Sequence, residues 1–312
     1  MKRVLITGSN GLLGQKITEL FSRSKKYEIL NTSVEDKPFL PNVDNFHYRQ
    51  LDITSRSSVL KLIDDILPEV IINTAAVTNV DLCETERALA WRINVKGVEN
   101  LVYAAKMIGA KIIHFSTDYV FDGKNGPYHE SDRPNPLSYY GRTKLASENL
   151  LLTSGIPHTI VRTMVLYGVA NQVKNNFALW LVDNLGEGKQ VRVVGDQICN
   201  PTLVDDLAYA VLKIVEFNRD GLYHIAGNDL VSRYDFAVEL AKKFKFDKKL
   251  IIPIKTSILK QPAPRPMKSG FIILKAETEL SIKMSGVEQG LTVFRNQLIN
   301  ARSVDDDPDF MF

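Results

Sequence analysis

The sequence predicts an α/β fold, a doubly wound parallel sheet joined to a smaller C-terminal substrate domain. Three observations point there. Short apolar runs alternate with amphipathic stretches of helical length through the first half of the chain. A glycine-rich turn separates the first run from the first helix. After Tyr167 the alternation weakens and proline-rich connections appear. Strand–helix alternation at this spacing favours parallel strands covered on both faces.

Taken in order, residues 3–7 form a β-rich run, and 12–24 carry helical spacing. Residues 27–32 and 47–51 are the next strand candidates. Over 55–67, Val59, Leu60, Ile63 and Leu67 share one side of a helix. Residues 70–73 read as a buried strand, 88–108 as one long helix and 111–116 as a strand. A helix is expected over 140–154 and a strand over 159–162. Further on, 175–185 looks helical, 222–226 looks like a strand, and Ser232 caps a helix reaching Phe244. Pro253, Pro262, Pro264 and Pro266 mark loop or edge chemistry.

Composition narrows the class. The 312 residues are 45% hydrophobic and 24% charged, near globular averages. A formal charge of +3 without a long basic block implies no nucleic-acid partner. The five histidines show no metal-ligand spacing, and Cys83 and Cys199 are too few and too far apart for a disulfide framework, so no metal is expected. No apolar run approaches the ~18–20 residues that cross a bilayer. A strand pattern begins almost at Met1, where a signal peptide would lie. The expectation is a cytoplasmic protein with no membrane partner; a homodimer stays open.

The turn Gly8-Ser-Asn-Gly11-Leu-Leu-Gly14 carries more information than its glycines alone, because it follows the first strand and opens the first helix. Glycines there let the backbone approach a pyrophosphate, and the helix N-terminus offers free N–H groups and partial positive charge. This is the Rossmann-type arrangement, with G-x-x-G-x-x-G in place of the commoner G-x-G-x-x-G. Gly8, Asn10, Gly11, Leu12 and Leu13 are the expected cofactor contacts. An acid about 20 residues on would hold a ribose 2′-hydroxyl and repel a 2′-phosphate. Neutral Ser33 stands there, with Glu35 and Asp36 slightly late. The reading leans to NADPH, with NADH open because no arginine is placed to clamp the phosphate. The dinucleotide-binding domain is expected over 1–166, completed by 203–218. Residues 167–202 and 219–301 form the substrate-binding region, and 302–312 an acidic flexible tail.

Tyr140-Gly-Arg-Thr-Lys144 carries the strongest chemical signal. Positions i and i+4 share a helix face. A lysine charge ~4 Å from the phenol, at an effective dielectric of ~20, is worth about 4 kcal/mol, or roughly three pKa units. That would bring the tyrosine toward neutrality, where acid–base catalysis is efficient. Upstream, Thr117 ends a predicted strand, so its hydroxyl and that of Tyr140 can converge on one substrate oxygen.

With Asn73-Thr-Ala-Ala76, Asn94, Ser116-Thr117-Asp118 and Arg162…Tyr167-Gly168 added, the chain resembles the extended short-chain dehydrogenase/reductases. Within them it is most similar to the dTDP-4-dehydrorhamnose reductases, through Ser116-Thr-Asp-Tyr-Val-Phe121, residues 140–148, Asn175-Asn-Phe177, Gly195-Asp-Gln197, Pro201-Thr202, residues 223–227 and Arg265-Pro266. The resemblance implies Thr117, Tyr140 and Lys144 as catalytic residues. It places Asp52 and Ile53 at the adenine, Ala75, Ala76 and Asn94 along the cofactor, and Thr163 and Met164 near the nicotinamide. Asp118, Val165, Asn176, Phe177, Asn200 and Arg265 would face a nucleotide-sugar substrate, with Arg265 as the cation for its diphosphate. Val165 replaces the family's usual tryptophan, and Cys199-Asn200 stand where glycine is common.

The first expectation is NADPH-dependent reduction of a 4-keto sugar nucleotide. One alternative is a 4-epimerase that retains NAD. A dehydratase would follow Asp118 with a second carboxylate, and Tyr119 stands there. The other alternative is a regulatory subunit that uses the cofactor site for binding only.

Overall fold

The computed structural model describes residues 1–40 and 46–304. Seven strands, all parallel, form the main sheet: β1 (Lys2–Thr7), β2 (Tyr27–Ser33), β3 (Phe46–Gln50), β4 (Val70–Asn73), β5 (Lys111–Thr117), β6 (His158–Thr163) and, late in the chain, Gly221–His224. From the late strand inward the order is Gly221–His224, β6, β5, β4, β1, β2, β3. The order reverses beside β1, and open α/β sheets bind ligands at the crevice such a reversal leaves at the carboxyl ends of the strands.

The central strands β1, β4 and β5 read as largely apolar runs because both faces are covered, whereas β3 at the edge of the sheet is half exposed. Leu5, Leu30, Ile71, Ile112 and Ile160 pack beneath α2 (Arg56–Ile66), α5 (Val98–Ile108) and α6 (Tyr139–Ser154). Val4, Ile6, Ile29, Ile72, Ile113 and Val161 face α1 (Leu12–Ser22) and α8 (Val204–Glu216). Each such side chain, fully buried, contributes about 1.5–3 kcal/mol.

The helix expected over 88–108 is not continuous. After α3 (Val80–Thr85), α4 (Arg87–Trp91) passes into a π-helical segment, Arg92–Gly97, before α5. The widened turn carries Asn94 to the backbone of Val77, which it meets through both amide atoms, and to Thr143 on α6. Gly97 packs closely on Ile53, and a Cβ there would sit 2.6 Å from the end of that side chain, which would have to shift.

The C-terminal region builds its own core. It comprises α7 (Phe177–Gly186), α9 (Arg233–Phe244), α10 (Leu274–Leu280) and α11 (Val287–Val304). Short pairs accompany them: β7 (Leu166–Tyr167) with β10 (Thr202–Leu203), β8 (Val191–Val194) with β13 (Ile251–Ile254), and β9 (Ile198–Cys199) with β12 (Val231–Ser232). Tyr167, Phe236, Phe244 and Phe294 meet in its centre.

Two expected boundaries are corrected. Gly221–His224, assigned from sequence to the substrate region, is the late strand, β11, paired with β6 at the edge of the main sheet. Ala276 and Leu280 of α10 also pack into the sheet's core rather than the C-terminal one. The expected tail begins too early, because α11 runs on to Val304, with no glycine or proline between Gly290 and Pro308 to stop it. Residues 305–312 lie outside the described residues.

Candidate active site

A cavity of about 460 Å³ opens at the carboxyl edge of the sheet, within the usual range for small-ligand sites. One wall is the β1–α1 turn. Gly8 holds φ +69°, and a Cβ on it would lie 2.6 Å from the Ala75 nitrogen; a Cβ on Gly14 would lie 2.6 Å from the Gly8 oxygen. The turn is therefore closed against the β4 loop with only backbone between them. The N-cap of α1 is Gly11, which offers no side-chain acceptor, so the first-turn N–H groups go uncapped where Gly11, Leu12 and Leu13 line the cavity. Ser9 Oγ, Ser116 Oγ and Thr163 Oγ1 are buried without a hydrogen-bond partner among the described residues, and the last two belong to cavity-lining residues. An uncapped helix end, a backbone cradle and orphaned hydroxyls fit a dinucleotide with its pyrophosphate on the turn.

The opposite wall brings Thr117, Tyr140 and Lys144 together. Thr117 ends β5, and its Oγ1 accepts from Tyr119 N at 3.2 Å while donating to Asp118 Oδ1 at 3.0 Å. Ser138 caps α6 by accepting from Gly141 N at 3.2 Å, which fixes the first turn bearing Tyr140. Gly141 lets that turn press on Tyr119, whose carbonyl would be 2.1 Å from any Cβ. Burial drives the phenol of Tyr140 above its usual pKa, and its hydrogen bond with Thr117 pulls the other way.

Here an expectation fails. The net shift of the phenol is upward, with burial its largest cause. The Lys144 ammonium turns instead toward His114, 3.4 Å from Nε2, and burial brings its own pKa down to about 8. His114 is fully buried between Asn73 and Ser147, and the same burial, then the lysine charge, holds its ring neutral. Ser147 donates to the Lys144 carbonyl. His114, which the sequence showed only as one of five histidines without metal-ligand spacing, is thus the ring beside the lysine ammonium. Asp118 is also buried, which raises its carboxyl pKa against hydrogen bonds from Ser269 and Thr117 and the charge of Arg233.

Of the expected cofactor residues, Gly11, Leu12, Leu13, Ala75, Ala76, Thr163 and Met164 line the cavity, as do Asp118 and Val165 on the substrate side. Val165 holds φ +45°, a left-handed conformation that costs a β-branched residue roughly 1–2 kcal/mol. Others stand behind the wall. The Asn10 amide binds Glu35, the Lys37 carbonyl and the Phe39 nitrogen, so it fastens the segment after β2. Ser33 donates to Glu35, whose carboxyl burial raises but whose hydrogen bonds from Ser33, its own backbone and Asn10 lower on balance. The acid that looked late in sequence thus reaches the end of β2. Asp52 is exposed and caps Thr54, Ile53 is packed under Gly97, and Asn94 is buried against Val77 and Thr143.

On the substrate side, Asn176 caps α7 and binds the Gly168 carbonyl, and Asn200 joins Gly227 to Phe271. Arg265 makes a two-pronged ion pair with Asp81, at 3.0 and 2.8 Å. Each of these three was assigned to substrate by the family resemblance; in the fold each is engaged with the protein. Arg233, which sequence reading missed, lines the cavity instead, its guanidinium 5.0 Å from the ring centroid of Phe177.

A sheet reversing at β1, a glycine turn leading into α1 and a threonine–tyrosine pair one helical turn from a lysine define an extended short-chain dehydrogenase/reductase. Comparison with known proteins places the chain more narrowly. It belongs to the family described as RmlD substrate binding domain, whose model matches residues 1–299. A dTDP-4-dehydrorhamnose reductase of Aggregatibacter actinomycetemcomitans is 35% identical over 307 residues, 95% of this chain and 99% of that one. A crystal structure of dTDP-4-dehydrorhamnose reductase from Bacillus anthracis, in complex with NADP, is 32% identical with a TM-score of 0.82, covering 95% of this chain and 99% of that one. The beta subunit of methionine adenosyltransferase 2 from Rattus norvegicus is 31% identical over 283 residues, 89% of this chain and 82% of that one. Among the described residues, no helix is long and apolar enough to cross a membrane.

Proposed function

We propose that this chain reduces the 4-keto group of a nucleotide sugar with NADPH, converting dTDP-4-dehydrorhamnose to dTDP-rhamnose. One observation carries the reading: the Tyr140 phenol and Thr117 hydroxyl meet in the wall of the same cavity that the phosphate-binding turn opens into. The similarity to reductases over nearly the whole chain supports it, and the NADP-bound relative supports the choice of cofactor.

The turn N–H groups of Gly11, Leu12 and Leu13 would hold the pyrophosphate, with Ala75, Ala76, Thr163, Met164 and Lys144 along the rest of the dinucleotide. Bound in its reduced form, that group supplies the hydride. Tyr140 Oη then donates the proton that the developing alkoxide takes up, and Thr117 Oγ1 steadies the same oxygen. The raised phenol pKa suits this direction of reaction, because the group stays protonated across neutral pH. Met164 and Phe115 line the cavity beside them with apolar surface and exclude water.

The deciding experiment follows NADPH and NADH absorbance against dTDP-, UDP- and GDP-linked 4-keto sugars. Oxidation of NADPH with the dTDP-linked ketone is the expected result. Tightly retained NAD with no net oxidation would select the 4-epimerase, and inactivity throughout with a stoichiometric enzyme partner would select the regulatory subunit.

A further inference from the structure

One fully buried histidine has no part in the steps above. His114 stands on β5, the strand that ends at Thr117, with its ring against the Lys144 ammonium. Its partners fix which ring nitrogen carries the proton. Ala75 N and Thr7 Oγ1 both donate to one atom of the Asn73 amide, at 3.2 and 2.7 Å. A backbone N–H can only donate, so that atom is the amide oxygen. The other is the NH2 group, and it faces His114 Nδ1 at 3.1 Å. An amide nitrogen offers no lone pair. Nδ1 is therefore the acceptor, and the proton of the neutral ring sits on Nε2.

The second ring nitrogen has matching partners. Ser147 Oγ spends its hydrogen on the Lys144 carbonyl at 2.7 Å, since a carbonyl only accepts. Its lone pairs are left to receive Nε2–H at 2.9 Å. The consequence falls on Lys144, whose Nζ lies 3.4 Å from that same Nε2. A donor meets a donor there, and the ring takes none of the ammonium's N–H groups. Three other groups bear on the lysine. Glu148, one turn along α6, is spent on Arg162. Cys83 on α3 has a thiol that burial pushes up to about 11 and so keeps protonated. Tyr140, one turn back, lines the same cavity with its phenol protonated.

Resting on the cofactor placement proposed above, we propose that His114 is a positioning residue for Lys144. Held with its proton on Nε2 by Asn73 and Ser147, it shows the lysine a donor in place of an acceptor, so the ammonium hydrogens stay free for the dinucleotide. The lowered pKa of Lys144 is consistent with this, because burial opposes the charge and no ring acceptor relieves it.

Two measurements test the role. The first is nitrogen-15 NMR of the histidine-labelled, ligand-free protein, with Ser147→Ala, which removes the acceptor of this ring alone, assigning the signal. A ring protonated on Nε2 and bare at Nδ1, unchanged from about pH 6 to 9, is expected. A ring protonated on Nδ1, or one that titrates in that range, overturns the proposal, and this measurement needs no change at His114 itself. The second is NADPH affinity against pH for wild type and His114→Gln. Glutamine can turn its carbonyl oxygen to the ammonium, which occupies one donor and favours the charged lysine. The variant is expected to bind NADPH about tenfold more weakly at neutral pH. The pH above which affinity falls, about 8 in wild type, should move up by about one unit. A packing defect alone would weaken binding equally at every pH, and that result, or unchanged affinity, overturns the role. A wild-type protein with the expected ring form that binds no NADPH sinks the cofactor reading, and the role built on it, while the placement of the ring proton stands.

Discussion

Lys144→Met should make the ligand-free protein more stable. Lys144 is 3% exposed, and its ammonium rests on a neutral imidazole rather than on a carboxylate. Burial lowers its pKa from 10.5 to about 8, with the Glu148 and Cys83 charges offsetting part of the effect. A folded-state value below the unfolded one means that the unfolded chain binds more protons between those limits, so stability rises with pH there. The penalty is present in full below about pH 8 and fades as the pH climbs toward 10.5. At about 1.4 kcal/mol per unit, it amounts to about 3 kcal/mol at neutral pH. Methionine fills a similar volume without a charge, so Lys144→Met should gain about 1–3 kcal/mol at pH 7 and less than about 1 kcal/mol at pH 10. Urea unfolding of both proteins at the two pH values measures this. A variant less stable than wild type at pH 7, or a difference that ignores pH, would refute the claim that the lysine is held there under strain for the sake of the site.

Two further outcomes follow from the geometry. Glu148 on α6 grips Arg162 on β6 through two bonds of 2.9 and 2.7 Å, with side chains 1% and 4% exposed. Glu148→Gln leaves a buried guanidinium without its counter-charge and should cost about 3–5 kcal/mol in urea unfolding; a loss below about 1 kcal/mol would show the pair to be incidental. Gly14→Ala drives a methyl group against the Gly8 carbonyl and should weaken NADPH binding at least about tenfold, at a stability cost of about 1–3 kcal/mol. Fluorescence titration with NADPH reads the affinity, and an unchanged value would remove the turn from the cofactor site.

The parallel sheet was legible because its central strands are buried on both faces and most of its helices keep one period; the π-helical break at Arg92–Gly97 leaves no mark on that period. The C-terminal region was not, since β7, β9, β10 and β12 are two residues each and carry no periodicity. The candidate trio Thr117, Tyr140 and Lys144 was visible in the sequence, but not the direction in which Lys144 turns, because His114, 3.4 Å from its ammonium, stands on β5. The pairing of Arg265 was hidden for a similar reason: Asp81 stands 184 positions away. Arg233 did leave a trace. A basic residue directly after the Ser232 cap runs against the helix dipole, which favours acids in a first turn. A cation at such a position asks for an explanation, and the cavity supplies one.

The central claim concerns the proton at Tyr140. Turnover of dTDP-4-dehydrorhamnose by Tyr140→Phe, measured as NADPH oxidation beside an NADPH binding isotherm, tests it most directly. The account predicts wild-type cofactor affinity with turnover reduced at least about a hundredfold, the loss of a positioned general acid. Turnover near the wild-type rate in a variant lacking that hydroxyl would contradict it.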